Sequence, residues 1–385
     1  MMSFLLPMLG GLTLAVCAEL FARRHVRRSP YRVLAPGRVD RMSLHHETLP
    51  TLDQHIAHAV NSHGERGGER PADPRTFRVL VAGGSAVSCF LLDQEVAWPS
   101  IMQRQLQSAP ELADRPVHVG NIGKSSIDSA TLDYMLSKVL PQEDGLDVLV
   151  VMVGASDILR WLALGAPVHE LPDLLPIDDA FAERPDIRFG WKPKQLALAT
   201  LYRRHREAKG WTRTNFGKRY GAARRMRAEA RTITDVPDAS LVMERFEERL
   251  ESLVDRALEH VEHVVVVRQP WFEKAEYSEE EVAQFWNGSI GDAYMTPCDT
   301  FFSHQVVAEL CRQLDERVVV VAERAGVPTV NVNAHLEPST ATYIDQFHFT
   351  PLGSQLVAQA VRDGVLDAVH GAREHEPQHS AANAA

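Results

Sequence analysis

Four short stretches of this chain carry residue types that together could supply a nucleophile and its base. VLVAGGSAV (79 to 87) sets Ser85 in a Gly-rich turn after an apolar run, presenting a hydroxyl and its backbone N–H at the start of a helix. VGNIGKSS (119 to 126) holds Gly123, which lacks a side chain and can bring its N–H close to a ligand. GASD (154 to 157) closes a third apolar run with Ser156 and Asp157. YIDQFHF (343 to 349) places Asp345 three residues before His348. That spacing lets a carboxylate fix the imidazole in one tautomer while the other ring nitrogen faces a hydroxyl. Each piece has a plainer reading: a helix cap for Ser85, a hydrogen-bonded turn for Asp345 and His348. The last two could also ligate a metal, but no second cluster completes a site, so no metal is expected. Neither GxGxxG nor GxxxxGK[ST] occurs, so no nucleotide or other cofactor is expected.

Five apolar, β-branched runs carry these stretches: FRVLVAG (77 to 83), PVHVGN (116 to 121), DVLVVMVG (147 to 154), HVVVVRQP (263 to 270) and VPTVNVN (327 to 333). Nearly continuous hydrophobicity marks strands buried on both faces, and amphipathic helical patterns lie between them. That alternation predicts an α/β domain with a parallel sheet of about five strands. Ligands of such sheets sit beyond the carboxyl ends of the strands, which is where the polar residues recur. Asn121 stands beside Gly123 as a further donor or a brace for the turn, and Gln269 and Trp271 follow the fourth run as a possible substrate wall.

In that order the blocks resemble the SGNH (GDSL-like) hydrolase superfamily of esterases and lipases. VLVAGGSAV matches its serine block, VGNIGKSS its glycine block, VMVGASDI its GxND turn and IDQFHFTPLG its Asp-x-x-His, over roughly residues 75 to 370. VNSHGERGGE, ahead of the first strand, is similar to the NS-x-G-x-RG-x-E lead-in of bacterial membrane-anchored members. The resemblance implies a three-layer α/β/α flavodoxin-like fold. It also implies a triad of Ser85, His348 and Asp345, with an oxyanion hole from the N–H groups of Ser85 and Gly123 and from the side chain at Ser156. Two departures stand out: Gly84 replaces the family's Asp before the serine, and Ser156 replaces the Asn whose amide donates to the oxyanion. The implied activity is hydrolysis of a small-molecule, lipid or saccharide ester. Acyl transfer to a saccharide hydroxyl is the alternative, and the Ser156 change also raises a binding or scaffold protein that keeps the fold.

The rest of the chain frames this domain. MMSFLLPMLGGLTLAVCA runs about eighteen residues before Glu19 without a charge, so residues 1 to 21 are expected to anchor the protein as a single membrane helix, with a cleaved signal as the rival. The family resemblance favours an extracytoplasmic domain, the arginines that follow the helix a cytoplasmic one. Residues 22 to 75 read as a linker or collar, and 76 to 370 as the hydrolase-like domain. About 162 to 240 read as an inserted helical region rich in arginine, suited to cover the crevice or face an anionic surface, or simply solvated. Residues 371 to 385 read as a disordered tail. Asp157 is expected to start a helix and not to act in chemistry. The four cysteines show no metal or disulfide spacing, and the net charge of −10 argues against nucleic acid.

Overall fold

Apolar runs of this kind are stable only in a sheet covered on both sides. In the computed structural model, which describes residues 2–169, 171 and 180–374, two strands come first, β1 (Val39–Leu44) and β2 (His55–Ala59). The five apolar runs supply β3 (Phe77–Gly83), β4 (Val117–Asn121), β5 (Val148–Met152), β8 (His263–Arg268) and β10 (Thr329–Asn331). Three short strands intervene: β6 (Thr212–Phe216), β7 (Arg231–Ile233) and β9 (Thr300–Phe302). The five pair in parallel in the order β10-β8-β5-β3-β4, the flavodoxin-like order of a doubly wound sheet. The chain reverses its direction of travel across the sheet at β3, so the crevice opens beyond β3 and β5.

The helices are α1 (Met2–Val26), α2 (Ser85–Ser88), α3 (Trp98–Gln107), α4 (Ser129–Val139), α5 (Ala155–Ala163), α6 (Ala197–Ala208), α7 (Lys218–Glu229), α8 (Ser240–Leu258), α9 (Glu279–Gln284), α10 (His304–Ala325) and α11 (Pro351–Glu374). Alternate residues of β3 face opposite layers. Leu80 and Ala82 join a core with α4, α8 and α10, whereas Val79 and Val81 join one with α3 and α11. Helix α8 shows how such a layer forms, because Phe246, Leu250, Leu253, Val254 and Ala257 recur at helical spacing and are all buried.

Several expectations need correction. Among the described residues no helix is long and apolar enough to cross a membrane, so a single membrane-spanning N-terminal anchor does not stand. The physical reason lies in the second half of α1. Glu19 is 2% exposed, pairs with Arg23 at 2.8 Å and accepts from the backbone N–H groups of Ala197 and Leu198 at the start of α6. Ala22 and Val26 are buried with it. The last two turns of α1 are thus committed to packing against α6 and not to a bilayer.

Residues 22 to 75 are not a bare linker, since β1 and β2 pair and bury Leu44, Leu49, Leu52 and Ile56 against the main domain. The region expected as a helical insertion contains α6 and α7 but is woven into its surroundings. β6 pairs with β1, and β7 pairs with β9, both in parallel. Part of it, 170 and 172–179, lies outside the described residues, as does most of the expected tail. Residues 371 to 374 continue α11.

Asp157 lies in the first turn of α5, as expected, but its carboxylate has a different partner from the one expected. Its carboxylate does not cap its own helix α5 but reaches α4, accepting from Ser129 N–H at 3.0 and 3.2 Å and from Ser129 Oγ at 2.5 Å. Burial and the neighbouring Asp128 charge push its pKa up to about 7, with the Ser129 contacts opposing. A carboxyl that ionises near 3.8 unfolded but near 7 folded stabilises the protein at low pH, and that contribution is lost as pH rises through 7. Asp157→Asn is therefore expected to gain melting temperature relative to the parent between pH 5.5 and pH 8, by a few degrees. Parallel Tm profiles for the two proteins would contradict this.

Candidate active site

At the carboxyl end of β3 the chain turns through Gly83 and Gly84 into the four-residue helix α2, of which Ser85 is the first residue. That position leaves the Ser85 N–H without an intrahelical acceptor and its side chain on the crevice side. Ser85 Oγ lies 2.9 Å from His348 Nε2, on the turn that leads into α11. His348 Nδ1 contacts Asp345 Oδ1 and Oδ2 at 2.9 and 2.8 Å. A ring nitrogen facing a carboxylate carries the proton, which leaves Nε2 free to accept from the serine hydroxyl.

Asp345 is 1% exposed. Burial alone would raise its pKa, but the His348 charge and hydrogen bond, the Phe347 N–H and the Trp286 indole outweigh it and hold the carboxyl below its ordinary range. The contacts are Phe347 N–H to Oδ1 at 2.9 Å and Trp286 Nε1–H to Oδ2 at 2.7 Å. Phe90 packs edge-on against the imidazole with ring centres 5.4 Å apart. The constellation can thus deprotonate a hydroxyl and hold the resulting imidazolium against a fixed negative charge.

The other expected site residues fall into two groups. Ser156, at the start of α5, lines the same pocket of about 540 Å³ as Ser85 and His348. A β-carbon built on Gly84 would sit 3.8 Å from Ser156 Oγ, so the Gly in place of Asp leaves room beside that hydroxyl. Gly123 does not fill its expected role: its N–H is taken by Asn121 Oδ1 at 2.8 Å. The same Asn121 donates through Nδ2 to Val87 O at 2.9 Å, so it braces the turn. A β-carbon at Gly123 would come within 2.6 Å of Ser88 N, so the glycine is needed for close passage against α2. Gln269 and Trp271 are also turned away from the pocket. Both are buried; Gln269 donates to Pro270 O at 3.1 Å, and the Trp271 indole to Glu273 at 2.8 Å.

What lines the pocket instead comes mostly from unexpected places. Ser125 and Ser126 face it from the β4–α4 loop, and Ser126 has φ of +62°, a left-handed conformation that a non-glycine residue seldom adopts. Phe216, Tyr220, Trp286 and Tyr294 form an aromatic wall, contributed by the region between β5 and α10. Arg224 of α7 donates to Ile344 O at 3.3 Å and to Thr48 O at 2.6 Å, fastening the Asp345–His348 loop to the outer layers. On the Ser85 side Arg66 is buried and donates to Cys89 O at 2.9 Å, Leu92 O at 2.8 Å and Ser88 O. Burial lowers its pKa to about 10. The NSHGERGGE segment thus holds the orphan carbonyls at the end of α2. Among the described residues no group of three or more His, Cys, Asp or Glu side chains is arranged to hold a metal ion.

No family model and no curated protein matches the sequence. Among solved structures, the acetylxylan esterase Axe2 from Geobacillus stearothermophilus is similar at 14% identity, over 75% of this chain and 94% of that one, with a TM-score of 0.41. LAE5, an alpha/beta hydrolase from the metagenome of Lake Arreo, is similar at 13% identity over 75% and 94%, with a TM-score of 0.42. A putative lipolytic protein of the G-D-S-L family from Desulfitobacterium hafniense is similar at 10% identity over 74% and 98%, with a TM-score of 0.39. Likeness at this level carries no weight for the chemistry, which rests on the geometry of the site.

The indole on Asp345 generates a test. Trp286→Phe keeps an aromatic ring but loses a hydrogen bond to a charged acceptor, so any activity that depends on the triad is expected to fall by about tenfold or more. A positioning role also moves the acid limb of the pH–rate profile. An equal loss at every pH would mark the indole as packing only.

Proposed function

We propose that this chain is a serine esterase of the SGNH type, hydrolysing carboxylic esters through an acyl-enzyme on Ser85. The observation that carries the proposal is the continuous contact from Ser85 Oγ through the His348 ring to the buried Asp345 carboxylate. In the forward step His348 Nε2 takes the Ser85 proton as Oγ attacks the ester carbonyl, and the imidazolium is held against Asp345. The tetrahedral oxyanion collapses, the C–O bond to the alcohol breaks, and His348 returns the proton to the departing alkoxide. Water then repeats the sequence against the acyl-enzyme, releasing the acid and restoring Ser85.

The oxyanion needs donors, and Gly123 has already spent its N–H on Asn121. The remaining candidates are the Ser85 N–H, the backbone of Ser126 and the Ser156 hydroxyl, all on residues that line the pocket. A serine hydroxyl reaches less far than an asparagine amide, so the departure at this position is expected to cost rate and not to abolish it.

Turnover of 4-nitrophenyl acetate tests the reading. Ser85→Ala is expected to lower kcat by at least about 1000-fold. Absence of turnover by the parent protein would instead favour a binding or scaffold role, and an added saccharide that intercepts the acyl group would identify a transferase. Ser156→Ala is expected to lower kcat by about 10- to 100-fold with little change in KM, and Ser156→Asn to retain or raise it. Unchanged kinetics in Ser156→Ala would remove that hydroxyl from the oxyanion site.

A further inference from the structure

The arginines from β6 to α7 do two different things. Arg224 and Arg227 turn inward from α7 and spend their guanidinium groups on backbone carbonyls, Arg227 on Phe302 O at 2.9 Å and on Asn287 O. Arg213, Lys218, Arg219 and Arg225 are exposed and surround a depression of about 850 Å³ at the β6–α7 turn. Among the described residues no carboxylate lines that depression, and none of the four cations takes part in an ion pair. Elsewhere the chain pairs its arginines freely: Arg70 with Glu65 and Glu143, Arg256 with Asp133, Arg268 with Asp315, Arg317 and Arg324 with Glu247. A cluster of uncompensated cations in a chain of net charge −10 is therefore local and specific.

Two of these cations are held in place without being neutralised. The Arg213 guanidinium lies 3.9 Å from the Trp211 ring centre and 5.8 Å from that of Phe216, and Arg219 lies 5.5 Å from that of Tyr294. Stacking on aromatic faces orders a guanidinium and leaves N–H groups to bind an oxyanion, although Arg219 also donates through Nη1 to Met295 Sδ at 3.1 Å. The depression is also continuous with the pocket around Ser85, because Arg213, Phe216 and Tyr294 line both. Asp292 is a carboxylate on the pocket around Ser85, and its Oδ1 accepts from the backbone N–H groups of Tyr294 and Met295 at 3.0 and 3.3 Å.

Resting on the serine-esterase reading, we infer that the ester this site accepts carries a second oxyanion, a carboxylate or phosphate, seated among Arg213, Lys218, Arg219 and Arg225 while its acyl carbon meets Ser85. The guanidinium fork suits either group, and the shared lining lets one molecule occupy both places.

Two matched pairs of esters test this on the full chain. 4-Acetoxybenzoate against its methyl ester carries the anion on the alcohol side, and mono-4-nitrophenyl adipate against its methyl ester carries it on the acyl side. With each rate divided by that of hydroxide hydrolysis, the anionic member of at least one pair is expected to be favoured in kcat/KM by about tenfold or more. The favoured pair identifies the side that bears the anion. The preference is expected to shrink towards unity in the triple variant Arg213→Gln, Arg219→Gln, Arg225→Gln, and on raising ionic strength. Binding of the same compounds to Ser85→Ala, measured by calorimetry, reads the seat without chemistry. Preferential binding of an anionic member with no turnover by the parent would sink the esterase reading alone. Equal binding and equal rates within both pairs, or a preference that survives the triple variant, would overturn the anion seat.

Discussion

A carboxylate sealed at the end of a sheet has to be satisfied from several directions, because an unpaired buried charge costs several kcal/mol. Asp345 is satisfied by its own turn through Phe347 N–H, by the His348 ring, and by the Trp286 indole far away in sequence. Arg224 and Tyr220 crowd the same place from α7, and the Asp345 charge adds to the effect of burial in pushing the Tyr220 phenol well above its ordinary pKa. The long interval between β5 and α10 thereby becomes part of the site. It supplies an indole donor to the Asp345 carboxylate, the arginine that pins its loop, and the aromatic wall of the pocket.

Ser85 is held by an equally distributed set of contacts. Helix α2 is too short to stabilise itself, since a helix of a single turn leaves most of its backbone groups unpaired. Arg66 takes the carbonyls at its end, Asn121 takes Val87 O, and Gly123 lets the β4–α4 loop pass against it. Through Arg66 and the buried Leu44, Leu49, Leu52 and Ile56, the segment ahead of the main sheet folds onto the domain. Pairing of β1 with β6 closes the ring, linking the segment that braces Ser85 to the segment that walls the pocket.

The main sheet was legible because both faces are buried, so that each strand reads as an apolar run and each intervening helix as a period of about 3.6. That Ser85, Asp345 and His348 come together was legible because a sheet of this topology gathers the ends of its strands at one edge. Gly123 shows where such reading stops: sequence places it in the correct loop, but only the structure shows its N–H turned to Asn121. Trp271 fails for a similar reason, since an aromatic after a strand can equally turn into the core and hand its indole to Glu273. Trp286 and Tyr220 left no local signal, as Trp286 reaches Asp345 and Tyr220 packs on Trp286 across long sequence separations. TRTNF is too polar to announce a strand, and Glu19 looked like the end of an apolar run when it is the point at which α1 docks.

The central claim is that Ser85 is a nucleophile activated by His348. Intact-protein mass spectrometry after exposure to a fluorophosphonate measures it most directly. The account predicts one adduct per chain, mapped to Ser85 by peptide analysis and formed far more slowly in His348→Ala. No adduct, an adduct on another residue, or equal labelling of the two proteins would contradict it.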